Sequence, residues 1–224
     1  MTHEERARRV AEAVRRRAGR TGGHASIGKA AVSHMVPDPH DPRHRDDKID
    51  ASDMRHVLSI DPEARTCSAE SGVPFCELVQ QTLRHGLLPA LVPELKTITI
   101  GGAVSGCSIE SMSFQYGGFH DTCLEYAVIT GTGEVLSCSP EQNPLLFQMM
   151  NGSFGTLGIL SRLKFKLISA QPYVHVTNEK YESFGDYCEA IERHCRDRDL
   201  DFLDGIIHGP REFVLCVGRF VAAA

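Results

Sequence analysis

The sequence lacks several features that would assign it to a specialised class. No apolar run approaches the roughly 20 residues that a helix needs to cross a bilayer. The N-terminus has no apolar signal core, and glutamates interleaved with its arginines argue against a transit peptide. A net charge of -5 gives no reason to expect nucleic acid as a partner. These absences predict a soluble, cytoplasmic chain without a transmembrane segment.

Paired cysteine motifs and internal repeats are also absent. The 8 cysteines are scattered and no CxxC occurs, which argues against a zinc ribbon or a thioredoxin-type site. We expect free thiols, several of them in the core. The polar loop at 37–48 contains three prolines, so we expect neither helix nor strand there. Its histidines and aspartates are potential metal ligands, but nothing fixes a coordination geometry, and we predict no metal site.

What is present is an ordinary globular composition of 224 residues, with 42% hydrophobic and 24% charged side chains. Thr2 and Glu5 form a capping box that predicts an N-terminal helix with its arginines facing solvent. From Ile49 onward, short strands and helices alternate. Strands are predicted at 65–70, 163–167, 173–177, 203–208 and 213–220, a hairpin at 124–138, and helices after Pro74, at 145–150 and after Ser183.

Three Gly-rich segments are the candidate sites of chemistry. The first, Gly23–Ala30, nearly matches a P-loop, but Ala30 lacks the hydroxyl that coordinates magnesium. Its glycines still permit a backbone cradle for an anion. The second, Thr99–Gly102, and the third, Gly152–Ile159, allow the backbone to approach a flat ligand closely. Taken alone, each of these two is equally consistent with a tight structural turn.

The order of the three segments resembles the FAD-binding domain of the vanillyl-alcohol oxidase / p-cresol methylhydroxylase superfamily. The resemblance is carried by Gly22-Gly-His-Ala-Ser26, Thr99-Ile-Gly-Gly102 and Gly155-Thr-Leu-Gly-Ile159. The intervening Tyr116-Gly, Asp121, 128–135 and Asn143-Pro-Leu-Leu-Phe147 also follow the family's pattern. The closer resemblance is to the delta-24 sterol reductase branch, through 92–95, 109–113, 116–119 and 138–143, and it extends over roughly residues 25 to 170.

This resemblance implies an α+β chain with the two-subdomain FAD-binding fold of the p-cresol methylhydroxylase type, followed by the start of a cap domain. The FAD domain is expected at 1–169, with subdomains of about 1–90 and 91–169, and an incomplete substrate domain at 170–224. The implied cofactor contacts fall in five short stretches. They are Gly22, Gly23, His24, Ala25, Ser26, Ile27; Pro93, Glu94, Leu95; Thr99, Ile100, Gly101, Gly102; Gly106, Cys107, Ser108, Ile109; and Gly155, Thr156, Leu157, Gly158, Ile159.

The resemblance also implies the chemistry. FAD is expected to be non-covalent, because Ala25 breaks the histidine-containing pattern of covalently linked relatives. The branch implies hydride transfer from NADPH through FAD to a C=C bond of a sterol-like or lipid-like substrate. The protonating acid is not identified, although Glu110, His120 and Asp121 lie near the flavin segment in sequence. The alternatives are a non-catalytic flavin-binding remnant and a related oxidase of a hydroxy acid or sugar. Oligomeric state is not predicted.

Overall fold

The structure is a computed structural model that describes residues 1–18, 25–29, 40 and 46–223. Within these residues the chain forms helices and strands in mixed order. The helices are α1 (His3–Ala18), α2 (Phe75–Thr82), α3 (Ile100–Ser105), α4 (Ser113–Tyr116), α5 (Pro144–Met149) and α6 (Phe184–Asp197). The strands are β1 (Ala25–Gly28), β2 (Asp47–Asp50), β3 (Val57–Asp61), β4 (Thr66–Glu70), β5 (Leu87–Pro89), β6 (Cys123–Thr130), β7 (Val135–Cys138), β8 (Gly158–Ser169), β9 (Tyr173–Tyr181), β10 (Phe202–Gly209) and β11 (Glu212–Val221).

The capping box predicted for the N-terminal helix is present. The Thr2 N–H donates to Glu5 Oε2 at 2.7 Å, and the Glu5 N–H donates to Thr2 Oγ1 at 3.3 Å. Ala7, Val10, Ala11, Val14 and Ala18 are spaced so that they share one face of this helix, and all of them are buried except Ala18, which is exposed. The expectation that every arginine faces solvent was wrong, because Arg6 is buried against the Glu70 carboxylate.

The first two strands correct two expectations about loops. Residues Ala25–Gly28, predicted as a loop that cradles an anion, form β1, and Asp47–Lys48, at the end of the predicted polar loop, belong to β2. The two strands pair in parallel, with Ile27 opposite Ile49. Ile49 packs into a small core with α1 and Ile129. This long-range pairing has no local sequence signal. Most of the predicted loop and Ala30 lie outside the described residues.

A central antiparallel sheet carries the main core. Its strand order is β3-β4-β8-β6-β7, and β5 also pairs with β8. The predicted hairpin is confirmed, since β6 and β7 are joined through a turn in which Gly133 has a φ of 76°. The predicted strand at 163–167 is the middle of the much longer β8. The buried aromatic rings of Phe75, Phe119 and Phe165 pack on one another at 5.1 and 5.3 Å between centroids.

The C-terminal residues build a second, three-stranded antiparallel sheet in the order β10-β11-β9. Ser183 caps α6 by accepting from the Asp186 N–H at 3.4 Å, as the sequence predicts. Tyr187, Phe213 and Leu215 form a separate apolar cluster under α6. The sheet is joined to the rest by the Leu203 N–H, which donates to the Ser111 carbonyl at 2.9 Å.

The α+β class is confirmed by this mixture of helices and mainly antiparallel strands. The subdomain boundaries at 90 and 169 remain predictions. In the described part of the chain, no helix combines the length and the apolar character that a membrane crossing requires.

Candidate functional site

A cleft brings parts of all three Gly-rich segments together. It has a volume of about 200 Å³. Its walls include Ile27 and Lys29 from the first segment, Thr99, Gly101 and Gly102 from the second, and Gly155, Gly158 and Ile159 from the third, together with Ala51, Ser71, Gly72, Ser105, Phe154 and Leu160. Segments far apart in the chain therefore share one groove.

A second cavity of about 250 Å³ adjoins the cleft. The two have Ile27, Gly155, Gly158 and Ile159 in common. The second adds the predicted residues Ala25, Ser26, Thr156 and Leu157, and also Arg17, Ile129 and Thr130. Two connected cavities of this kind suit an extended ligand better than a compact one.

Helix α3 presents the second segment to the cleft. Thr99 caps the helix by accepting a hydrogen bond from the Gly102 N–H at 3.2 Å. The Ile100 N–H donates to the Val73 carbonyl at 3.0 Å, and the Gly101 N–H donates to the Ser71 carbonyl at 2.9 Å. These two first-turn donors are therefore already used within the protein and are not available to a ligand.

Other groups in the two cavities remain available to a ligand. The hydroxyls of Ser71 and Ser105, and the N–H groups of Gly155 and Leu157, make no hydrogen bond with another described residue. Lys29 contributes an exposed cation to the cleft. No carboxylate is found among the described residues that line either cavity. The site thus combines donors and positive charge within a chain whose net charge is -5.

Some of the predicted cofactor residues lie away from these cavities. Gly22, Gly23 and His24 lie outside the described residues. Ile100 is fully buried in the main core. The stretches Pro93–Leu95 and Gly106–Ile109 do not line the two cavities.

Those last two stretches lie near each other beyond α3. The Glu94 N–H donates to Glu110 Oε2 at 3.4 Å, which links the loop at 93–95 to the chain that follows Ile109. Leu95 and Ile109 are exposed apolar side chains. The predicted contacts therefore fall into a group that lines the two cavities and a group that does not.

The candidate proton donors have structural partners. Asp121 accepts from the Gly118 N–H at 2.7 Å and lies 3.5 Å from His120 Nε2. Glu110 accepts from Glu94 as described, and His120 Nδ1 is buried without a hydrogen-bond partner among the described residues. None of the three lines either cavity. Burial raises the pKa of the Cys123 thiol to about 12, so Cys123 is a packed, protonated side chain.

A larger cavity, of about 550 Å³, lies between α1 and the β6–β7 hairpin. Its charged walls alternate in sign along the helix, as Glu4, Arg8, Glu12 and Arg15. It contains none of the residues that the sequence predicts as cofactor contacts. The alternation is typical of a solvated helix face, as the sequence suggests.

A buried carboxylate fixes α1 against the chain that leads into the cleft. Glu70 is fully buried, accepts from Arg6 Nε at 2.8 Å and from the His56 N–H at 3.0 Å, and lies 2.9 Å from His3 Nδ1. Burial alone would raise the pKa of this carboxyl, but the hydrogen bonds from His3, Arg6 and His56 outweigh it and lower the pKa to about 2. The next residue, Ser71, lines the cleft.

The sequence hypothesis missed several residues of the cleft. Ala51, Ser71, Gly72 and Phe154 line it but were not predicted as contacts. The Ser71-Gly72 pair directly after β4 is a turn signal that marks this edge of the sheet. Phe154 lies within the third Gly-rich segment, between Gly152 and Gly155.

Comparison with known proteins supports the interpretation of the sequence motifs as those of an FAD-binding domain. Residues 42–139 match the family model of the FAD binding domain. Eighty residues of the chain are 29% identical to the delta(24)-sterol reductase of Mus musculus, and they make up 36% of this chain and 16% of that protein. The family match includes the second Gly-rich segment and ends before the third. The predicted resemblance to an FAD-binding domain is therefore confirmed over residues 42–139.

Proposed function

We propose that the cleft and its adjoining cavity bind FAD, and that the chain is an FAD-dependent oxidoreductase or the FAD-binding portion of one. The observation that carries this proposal is that residues of all three predicted segments line one groove: Ile27; Thr99, Gly101 and Gly102; and Gly155, Gly158 and Ile159. All of these positions are cofactor contacts implied by the sequence motifs. The match of residues 42–139 to the FAD binding domain supports the same cofactor.

The chemistry of the cavities fits a dinucleotide. A pyrophosphate is anionic, and Lys29, the hydroxyls of Ser71 and Ser105 and the free N–H of Gly155 are groups that can offset it. Ile27 and Leu157 are partly exposed apolar side chains in these walls, suited to cover a flat ring. When bound, FAD supplies the redox chemistry, while the protein binds the pyrophosphate, orients the ring and excludes water.

Titration of the flavin-free protein with FAD tests the cofactor assignment. We expect the purified protein to bind FAD and to show the yellow colour of oxidised flavin. Lys29→Gln removes one charge at the surface of the cleft, and an exposed pair of this kind is worth about 1 kcal/mol, so affinity should fall roughly fivefold. Lys96→Gln is the matched control, because Lys96 is exposed but lies outside both cavities.

Equal effects of the two lysine variants, or no FAD binding by the unaltered protein, would contradict the assignment of this cleft. A lack of FAD binding by the unaltered protein would also contradict the proposal that FAD is the cofactor.

The proposed reaction is reduction of a C=C bond in a sterol-like or lipid-like substrate, with NADPH as the electron donor. Its support is the similarity to the delta(24)-sterol reductase of Mus musculus over 80 residues. Anaerobic addition of NADPH to the FAD-loaded protein should bleach the visible flavin absorbance. If NADPH does not bleach the flavin and the protein instead turns over a hydroxy acid with oxygen, the protein is an oxidase of the alternative class. Absence of reaction with any donor would assign a non-catalytic flavin-binding chain.

A further inference from the structure

The turn at residues 152–155 has a backbone that is unusual for its sequence. Gly152, Phe154 and Gly155 have φ values of 66°, 49° and 76°, all in the left-handed region. Glycine adopts this region freely, whereas a bulky aromatic residue rarely does. A glycine at position 154 would build the same turn with less strain.

Backbone hydrogen bonds hold the turn in place. The Gly152 N–H donates to the Val104 carbonyl at 3.1 Å, and the Phe154 N–H donates to the Ser105 carbonyl at 3.0 Å. Both acceptors belong to α3, so the turn is fixed to the helix that carries the second Gly-rich segment. A strained conformation persists where the surrounding structure over-determines it, as here.

The turn presents the side chain of Phe154 to solvent. Phe154 is 81% exposed, the highest value for a large apolar side chain in the described part of the protein. It lines the cleft with Gly101, Gly102 and Lys29. Its ring makes no aromatic contact with another described residue, whereas the partly exposed Phe184 packs on Phe213 at 5.7 Å between centroids. Single exposed apolar residues are common in proteins. An exposed aromatic in a left-handed conformation at the edge of a cleft is a much rarer combination.

We propose that Phe154 is a stacking residue that covers a planar ring of the bound dinucleotide at the edge of the cleft. This inference rests on the proposed FAD site. Aromatic rings stack on flat heterocycles, and the contact removes apolar surface of both partners from water. Either the isoalloxazine or the adenine ring offers this chemistry. The strain of the turn is then accounted for, because it places the ring where a ligand, and not the protein, buries it.

Three substitutions at position 154 distinguish the effect of the aromatic ring from the effect of the backbone strain. Phe154→Ala removes the ring, Phe154→Gly removes the ring and relieves the left-handed strain, and Phe154→Tyr keeps a ring. Titrations with FAD, read by flavin fluorescence, should show about tenfold weaker binding for the first two variants and a change within about twofold for the third. Leu145→Ala is the control, because Leu145 is 71% exposed on α5 and lies outside both cavities.

The melting temperature of each flavin-free variant shows that the protein folds, and titrations with FMN and with ADP identify the ring. If the variants without the ring bind FMN more weakly but ADP normally, Phe154 stacks on the isoalloxazine. If they bind ADP more weakly but FMN normally, it stacks on the adenine. If the unaltered protein binds FAD and Phe154→Gly binds it equally well, the stacking role is overturned while the FAD site stands. If the unaltered protein binds no FAD, the proposed function fails first and this inference fails with it.

Discussion

At the scale of single residues, Glu70 is a fully buried carboxylate paired with the buried Arg6 of α1. Glu70→Gln leaves Arg6 buried without its counter-charge, and breaking a buried pair of this kind typically costs about 3–5 kcal/mol. We expect a loss of that order in the free energy of unfolding at pH 7. Urea titration followed by circular dichroism measures it in a chain that has no tryptophan. Glu77→Gln, which breaks the exposed pair with Arg55, is the control and should cost less than about 1 kcal/mol.

The lowered pKa of Glu70 also predicts that its contribution to stability depends on pH. The folded pKa of Glu70 is lowered from 4.5 to about 2, so the unfolded chain takes up a proton first as the pH falls. The stabilisation by the ionised carboxylate is complete above the unfolded pKa and is lost as the pH falls toward the folded pKa. The difference between the unaltered protein and Glu70→Gln should therefore shrink between about pH 4.5 and 2. A difference that stays constant over this range would mean that the charge of Glu70 is not what stabilises α1.

At the scale of elements, α3 depends on how closely it approaches the chain after β4. A Cβ on Gly101 would lie 2.6 Å from Ser71 Cβ and 2.9 Å from the Ser71 carbonyl oxygen, whereas a Cβ on Gly102 would meet only Thr99 Oγ1 closely, at 3.2 Å. Gly101→Ala should cost about 1–3 kcal/mol through overpacking and should displace α3 from one wall of the cleft. Gly102→Ala should cost clearly less. Thermal unfolding compares the stability of the two variants directly. Equal losses of stability would show that the close approach to Ser71 is not what requires glycine at position 101.

Elements with a strong local pattern were predictable, and elements built by distant contacts were not. The capping box of α1, the hairpin at Gly131–Gly133 and the Ser183 cap of α6 are encoded within a few residues, and all three are present. β1 exists through its pairing with β2, some 20 residues later, and α3 through bonds from its first turn to Val73 and Ser71. The sequence shows neither partner. Part of the candidate cleft, Ser71 and Gly72 above all, was missed for the same reason.

At the scale of the whole molecule, the buried apolar residues form separate clusters. The main cluster includes Ile100, Ala103 and Val104 of α3, so the cleft wall rests on it. The cluster under α6 contains residues of β9–β11 and also packs against Phe114 of α4. Proteins open locally in units that follow such clusters. We therefore propose, in line with the predicted boundary near residue 169, that the C-terminal sheet opens independently of the cleft.

Matched substitutions in the two clusters test this independence. Leu215 and Leu163 are both buried, at 1% and 0% exposure, in the C-terminal and main clusters respectively. Each change to alanine should cost about 2–5 kcal/mol in its own cluster. Leu215→Ala should speed hydrogen exchange in β9–β11 and leave FAD affinity within about twofold, because the cleft is unaffected. Leu163→Ala should speed exchange in β4, β6 and β8 and weaken FAD binding, because Leu163 shares a cluster with the α3 residues that support the cleft wall. Equal losses of FAD affinity would instead make residues 170–224 part of one cooperative unit with the cofactor site.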